Sequence, residues 1–250
     1  MAIATLEKSV DVSHLGNTNR FVLIGPDYYT HVMEKIDSQN LIRPTTAEVL
    51  SFLDLALQNP DDPDSLEMLK KFKPKQPFLW KGMEKNHNPN IIELKRRFKQ
   101  GYLWTCTESL PFKLPSQEGI LVCNNRDGTL PKTVKGLLEF CYDKEKNKDN
   151  LVSVVEPGFK QGPMSISDLL TNRYAIAQFG GEKMLETAER VAEACYDKEA
   201  YVMGPDMSSY HKRGLTVLFS DCESDSGLYL NGRFNFVSYE GYAPGICKTA

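Results

Sequence analysis

The sequence is poor in the residues and spacings from which active sites are usually recognised. Its four histidines, His14, His31, His87 and His211, are scattered, and no H-E-x-x-H, G-x-S-x-G, G-x-G-x-x-G or phosphate-loop pattern occurs. No catalytic residue, metal site or cofactor is therefore expected. Six cysteines, Cys106, Cys123, Cys141, Cys195, Cys222 and Cys247, include no C-x-x-C pair, which excludes zinc-ribbon or thioredoxin-like spacing. Cys123, Cys141 and Cys195 lie in apolar contexts where a free thiol behaves as a small hydrophobe. Cys222 and Cys247 flank the terminal strands, and a disulfide between them stays open at this level. No run of eighteen apolar residues occurs, so no membrane span is expected. Residues 1–19 lack the apolar core of a signal peptide, so classical secretion is not expected either. With 30 basic and 33 acidic residues the net charge is -3, which gives no general attraction to nucleic acid.

What is present is ordinary in amount and informative in arrangement. The hydrophobic fraction of 41% and charged fraction of 25% are those of a globular protein, and 250 residues suffice for one large or two small domains. The phrase RFVLIGPDYYTH at 20–31 reads as a strand ended by a Gly-Pro-Asp turn, and AYVMGPDMSSYH at 200–211 repeats the pattern. Thr45 and Glu48 have capping-box spacing before Val49, Leu50, Leu53 and Leu57, which predicts a helix ending near Asn59-Pro60. The acidic cluster Asp61, Asp62, Asp64 and Glu67 reads as the capped start of another helix and lacks the spacing of a calcium loop.

From Leu69 to Gln100 basic residues dominate. Lys70, Lys71, Lys73, Lys75, Lys81, Lys85, Lys95, Arg96, Arg97 and Lys99 accompany Phe72, Phe78, Trp80 and Phe98. A solvated helix face is the plain reading of 70–99, with a nucleic-acid groove or an acidic partner as alternatives. Strands are expected at 101–106 and 119–123, with helices at 131–145, from Ser165 or Ser167 through Leu170, and at 181–196. Met184, Leu185, Ala188, Val191, Ala192 and Cys195 form one face of the last.

The residues from Gly214 to the end read as two or three short strands. Leu215, Val217 and Phe219 alternate, as do Leu228 and Leu230, and Gly227, Gly232, Gly241 and Gly245 punctuate them. Leu215, Val217, Leu228 and Leu230 are expected to point inward. Polar and aromatic residues, Ser220, Asp221, Glu223, Ser224, Asp225, Tyr229, Asn231, Arg233, Asn235, Phe236, Ser238 and Tyr239, fill the remainder and form the expected ligand-binding surface. Tyr229, Phe236 and Tyr239 would anchor a ligand, and Asn231 and Arg233 would direct hydrogen bonds. Gly245 is expected to resist substitution if its backbone conformation is closed to other residues.

SGLYLNG at 226–232, followed by a polar-aromatic run and GYAPGI at 241–246, resembles the carboxyl end of variable proteins of diversity-generating retroelements, of archaeal or viral type. The resemblance implies a C-type-lectin fold whose last strands carry a hypervariable region, closed here by Gly241, Tyr242, Gly245 and Ile246. It also implies diversification at adenines of AAC or AAT codons, which yields none of Met, Trp, Gln, Lys and Glu. Of those five types only Glu223 and Glu240 occur between Ser220 and Ile246.

The expected fold is α+β: a mostly helical region at 1–100 packed on a C-type-lectin-like domain at 101–250, with its variable region at about 214–246. The expected function is recognition of a protein or other macromolecule, in the cytoplasm or on a virion. The alternatives are a cysteine-using enzyme like the formylglycine-generating enzymes, which share this fold and would use Cys222 or Cys247, and a structural virion or scaffold protein.

Overall fold

A computed structural model of the chain describes residues 9–14, 17–58, 102–195, 199–208, 210, 212–220, 228–234 and 241–247. The order of elements is β1 (Ser9–His14), β2 (Asn17–Asp27), α1 (Tyr29–Ser38), α2 (Thr46–Gln58), β3 (Tyr102–Leu114), β4 (Gln117–Asn124), α3 (Val134–Tyr142), β5 (Val152–Val155), β6 (Gly162–Ser165), α4 (Ile166–Thr171), α5 (Arg173–Gln178), α6 (Leu185–Cys195), β7 (Glu199–Met203), β8 (Gly214–Ser220), β9 (Leu228–Phe234) and β10 (Gly241–Ile246). Helices and strands alternate around one sheet, and the chain is α+β.

Local signals start the helices where they were expected. The Glu48 carboxylate accepts from the Thr45 amide at 2.7 Å and from its hydroxyl at 2.9 Å, while the Glu48 amide donates to Thr45 Oγ1 at 3.3 Å. This is a closed capping box, and it leaves fewer amides of the first turn without a partner. Thr133 caps α3 through Gly136, and Ser165 caps α4 through Asp168. Asn172 ends α4 and at once starts α5, which the sequence reading did not separate, by accepting from the Tyr174 and Ala175 amides.

Among the described residues ten strands follow the order β1-β2-β10-β3-β8-β9-β7-β6, with β4 on β3 and β5 on β4. Among these pairings only β10–β3 and β7–β9 are parallel. The region expected to be mostly helical thus also contributes β1 and β2 to the sheet, and β10 lies between β2 and β3, away from β9. The boundary expected near residue 100, the helix expected after Asp61 and the basic stretch 70–99 lie outside the described residues. Gly25, Pro26 and Asp27 do not form a turn after β2 but belong to it, with Gly25 at φ 129° and Asp27 paired to Gly241. The second Gly-Pro-Asp does follow its strand, because β7 stops at Met203 and Asp206 then accepts from the Ser208 amide at 2.9 Å.

Side chains alternate across the sheet, so each strand serves two cores. Leu103 of β3 faces one way with Leu218, Leu228 and Leu230, against Leu50 and Leu53 of α2, Leu169 of α4, Phe179 and Val191. On the same side Arg190 of α6 donates two hydrogen bonds to Asp54 of α2, at 3.1 and 2.7 Å. Trp104 faces the other way, with Ile24 and Ala243 under Val32 and Ile36 of α1. Further along, Phe112, Leu121 and Cys123 lie under Leu137 and Leu138 of α3.

Where the sheet divides, polar groups replace ladder bonds. β10 pairs with β3 at Tyr102 and Leu103, and β4 takes over the same edge from Thr107. In the gap the Cys106 amide donates to the Pro44 carbonyl at 2.7 Å, and the Thr46 amide donates to Thr107 Oγ1 at 3.0 Å. The Thr107 hydroxyl in turn donates to Asn124 Oδ1 at 2.7 Å. Buried backbone groups are costly when unpaired, and this arrangement satisfies them.

Candidate functional site

The terminal strands β8 and β9 run antiparallel, with Leu218 opposite Leu230 and Ser220 opposite Leu228. Leu218, Leu228 and Leu230 are fully buried, and so is Thr216, whose hydroxyl donates to Gln178 Oε1 at 2.7 Å. The inward phase of β8 is therefore 216 and 218, and Leu215, expected inward, is only half-buried on the other face. A hydrogen bond to α5 admits a threonine where the sequence reading sought an apolar side chain. Val217 lies opposite Trp104 of β3 and Asn231 of β9, and Ser220 lies opposite Leu228.

Positions 229 and 231 alternate with the buried positions 228, 230 and 232 along β9. Tyr229 and Asn231 thus occupy one phase of the strand; beyond Asn231 the register shifts, with Phe234 opposite Leu215, and simple alternation does not carry that phase on to Arg233. Among the other expected site residues, Asp221, Glu223, Ser224, Asp225, Asn235, Phe236, Ser238 and Tyr239 lie outside the described residues, as do Cys222, His87 and His211.

The register extends this phase into neighbouring strands. Tyr229 is opposite Phe219 of β8 and Tyr201 of β7, while Phe219 is opposite Tyr102 of β3. Tyr102, Phe219, Tyr229 and Tyr201 therefore form one row across four strands, about 4.8 Å apart per strand. The next row is Trp104, Val217, Asn231 and Met203. α1 packs on this side at Trp104 and α3 at Phe112, and among the described side chains neither hydrophobic cluster includes one from β7, β8 or β9. The sequence reading did not set Tyr201 and Met203 beside β9. Their alternation marks a strand, but nothing local says that the strand lies beside β9.

Away from this face, two of the charged clusters among the described residues hold carboxyls shifted from their ordinary range. Asp27 accepts from Lys35 Nζ at 2.7 Å and from the Tyr28 amide at 2.8 Å, and lies 3.0 Å from His31 Nδ1. Lys35 above all, with His31 and the amide, holds its carboxyl down at about 2. At the division of the sheet, Glu48 is buried beneath Arg126. Burial pushes its carboxyl above the ordinary range, while Arg126 and the Thr45 donors oppose the shift.

The thiols fit a packing role more closely than a catalytic one. Cys106 and Cys123 are buried and free, and Cys141 and Cys247 are half-buried and free. Burial raises the Cys106 thiol well above its usual range and pushes Cys123 up to about 12. Neither is a ready nucleophile, since the thiolate is the reactive form.

No family model matches the chain, and no curated protein matches it. One solved structure, from work on the accommodation of massive sequence variation in Nanoarchaeota by the C-type lectin fold, aligns with 91% of this chain and 97% of its own. The identity is 11% and the TM-score 0.45.

Proposed function

We propose that the protein is a ligand-binding protein that presents a diversified recognition surface on a C-type-lectin-like scaffold. The observation that carries this reading is the phase of β9. Positions 229 and 231 share one phase, opposite to that of the buried Leu228 and Leu230. A strand held by its ladder bonds and inner side chains leaves its outer positions free of the core, so they can change without loss of the fold. Aromatic residues in such positions supply contact area at small entropic cost, and the row through Tyr201, Tyr229 and Phe219 suits a protein or other macromolecular ligand.

Sequencing the terminal coding segment in many isolates tests the reading. Substitutions should concentrate at 229, 231, 233 and the polar-aromatic positions between 221 and 239, and a near-copy of the segment should lie beside a reverse-transcriptase gene. Variation spread evenly over inner and outer positions, with no such copy, overturns it.

A further inference from the structure

A chain of buried hydrogen bonds lies beneath β9. Thr216 donates to Oε1 of Gln178 at 2.7 Å, the Gln178 amide donates to Oγ of Ser109 at 2.7 Å, and that Oγ lies 2.7 Å from the Tyr174 hydroxyl. All four side chains are fully buried. The Tyr174 ring is also stacked on Phe159, with centroids 4.7 Å apart and planes inclined by 12°. Its backbone is held by Asn172, which accepts from the Tyr174 amide at 3.1 Å. Cap, ring stack and hydroxyl contact together leave this tyrosine little freedom to move.

The hydroxyl comes to rest against Gly232, the residue after the outer position 231. A Cβ at residue 232 would overlap the Tyr174 hydroxyl and would lie 3.0 Å from Cζ of the same ring and 3.1 Å from Ser109 Oγ. Gly232 has no positive φ, so the demand is for space and not for backbone freedom. Any larger residue must displace β9 or break the Tyr174–Ser109 contact, which leaves buried polar groups unsatisfied.

We propose that Tyr174 is the positioning residue of the recognition surface. Held from α5, its hydroxyl seats β9 at Gly232, so that the inner positions 228, 230 and 232 are locked and specificity is carried by 229 and 231. The inference rests on reading β9 as a recognition strand. It adds that the strand contains a glycine that diversification cannot alter, and names the side chain responsible.

The test uses the full chain displayed on yeast and sorted for protease resistance. One library randomises 229 and 231, and a second randomises 232 in the wild-type and Tyr174→Phe backgrounds. Most outer-position variants should survive. At 232 glycine should exceed every other residue at least tenfold in the wild type, and alanine and serine should rise about tenfold in frequency in Tyr174→Phe. An antibody fragment raised against the wild-type protein, chosen because Asn231→Ala abolishes its binding, reports the geometry of the outer face. Its affinity should fall at least tenfold in Gly232→Ala and recover in Tyr174→Phe/Gly232→Ala, but not in Thr216→Val/Gly232→Ala. Poor survival of the outer-position library would count against the recognition reading itself. Good survival there, with non-glycine residues common at 232 in the wild type, overturns the role of Tyr174 alone. Should Tyr174→Phe fail to fold, the wild-type library at 232 decides by the same criterion.

Discussion

The guanidinium of Arg126 meets the carboxylate of Glu48 at 2.5 Å where β10 and β4 part from the same edge of β3. Glu48 is almost wholly buried, Arg126 is 41% exposed, and Arg126 Nε is buried without a hydrogen-bond partner. The pair closes the gap in the sheet and neutralises the carboxylate that caps α2.

Replacing Arg126 by methionine should therefore leave a buried charge uncompensated. Loss of one partner of a buried pair costs about 3 to 5 kcal/mol, and the partial exposure of Arg126 puts the expected loss at the lower end or below, about 2 to 3 kcal/mol. Burial already raises the Glu48 carboxyl, and loss of the cation raises it further. The folded variant then binds a proton that the unfolded chain releases, so its stability falls as pH rises above the unfolded value. Urea unfolding should show a larger deficit at pH 7 than at pH 5. An equal deficit at both would mean that Glu48 carries no charge in the folded protein.

Asp27 titrates in the opposite sense. Its folded carboxyl stands at about 2 against 3.8 as the ordinary value. A depressed carboxyl contributes stability above the unfolded value and loses it as pH falls through the folded one. The full linkage of about 2.4 kcal/mol is screened by solvent around the half-exposed Lys35, which leaves about 1 to 2 kcal/mol. Asp27→Asn should be less stable than wild type by that amount at pH 6 and should match it near pH 2. Thermal melts across that range check the window.

The cysteines separate by burial. Under a maleimide at pH 8, Cys106 and Cys123 should label at least a hundredfold more slowly in native protein than in urea, because both thiols are buried and held protonated. Peptide mapping by mass spectrometry gives the answer residue by residue, and rapid native labelling of Cys106 would contradict its packing.

Two glycines resist substitution for different reasons. A Cβ on Gly245 would lie 2.6 Å from Leu41 Cδ1 and 3.2 Å from Leu41 Cβ. Its φ is not positive, so the expected backbone demand is absent and overpacking takes its place. Gly245→Val should cost about 2 to 3 kcal/mol, and Leu41→Ala should recover part of it. Gly128 has φ 73° and open space around it. There Gly→Ala should cost about 1 kcal/mol through the backbone alone, with no compensating partner. Denaturant unfolding of the single and double variants separates the two causes.

Elements governed by contacts within one turn were legible in the sequence. The Thr45–Glu48 box, the Ser165 cap and the buried face of α6 at Ala188, Val191 and Ala192 all depend on residues three or four apart. Strand content was legible for the same reason, since β8 and β9 alternate within themselves. The phase of β8 was not, because Thr216 becomes an inner residue only through Gln178, 38 positions earlier. Gly25 to Asp27 read as a turn and became strand because β10, more than two hundred residues later, pairs with them. Tyr201 came beside Tyr229 only through the pairing of β7 with β9, and Gly232 is crowded by Tyr174, 58 positions earlier. The sequence by itself determined the helices α2, α3, α4 and α6 and the alternation within the terminal strands, since both follow from local periodicity. Only the tertiary structure decided which strands lie side by side, which phase faces each core and where a glycine is indispensable, because those depend on partners that local sequence does not name.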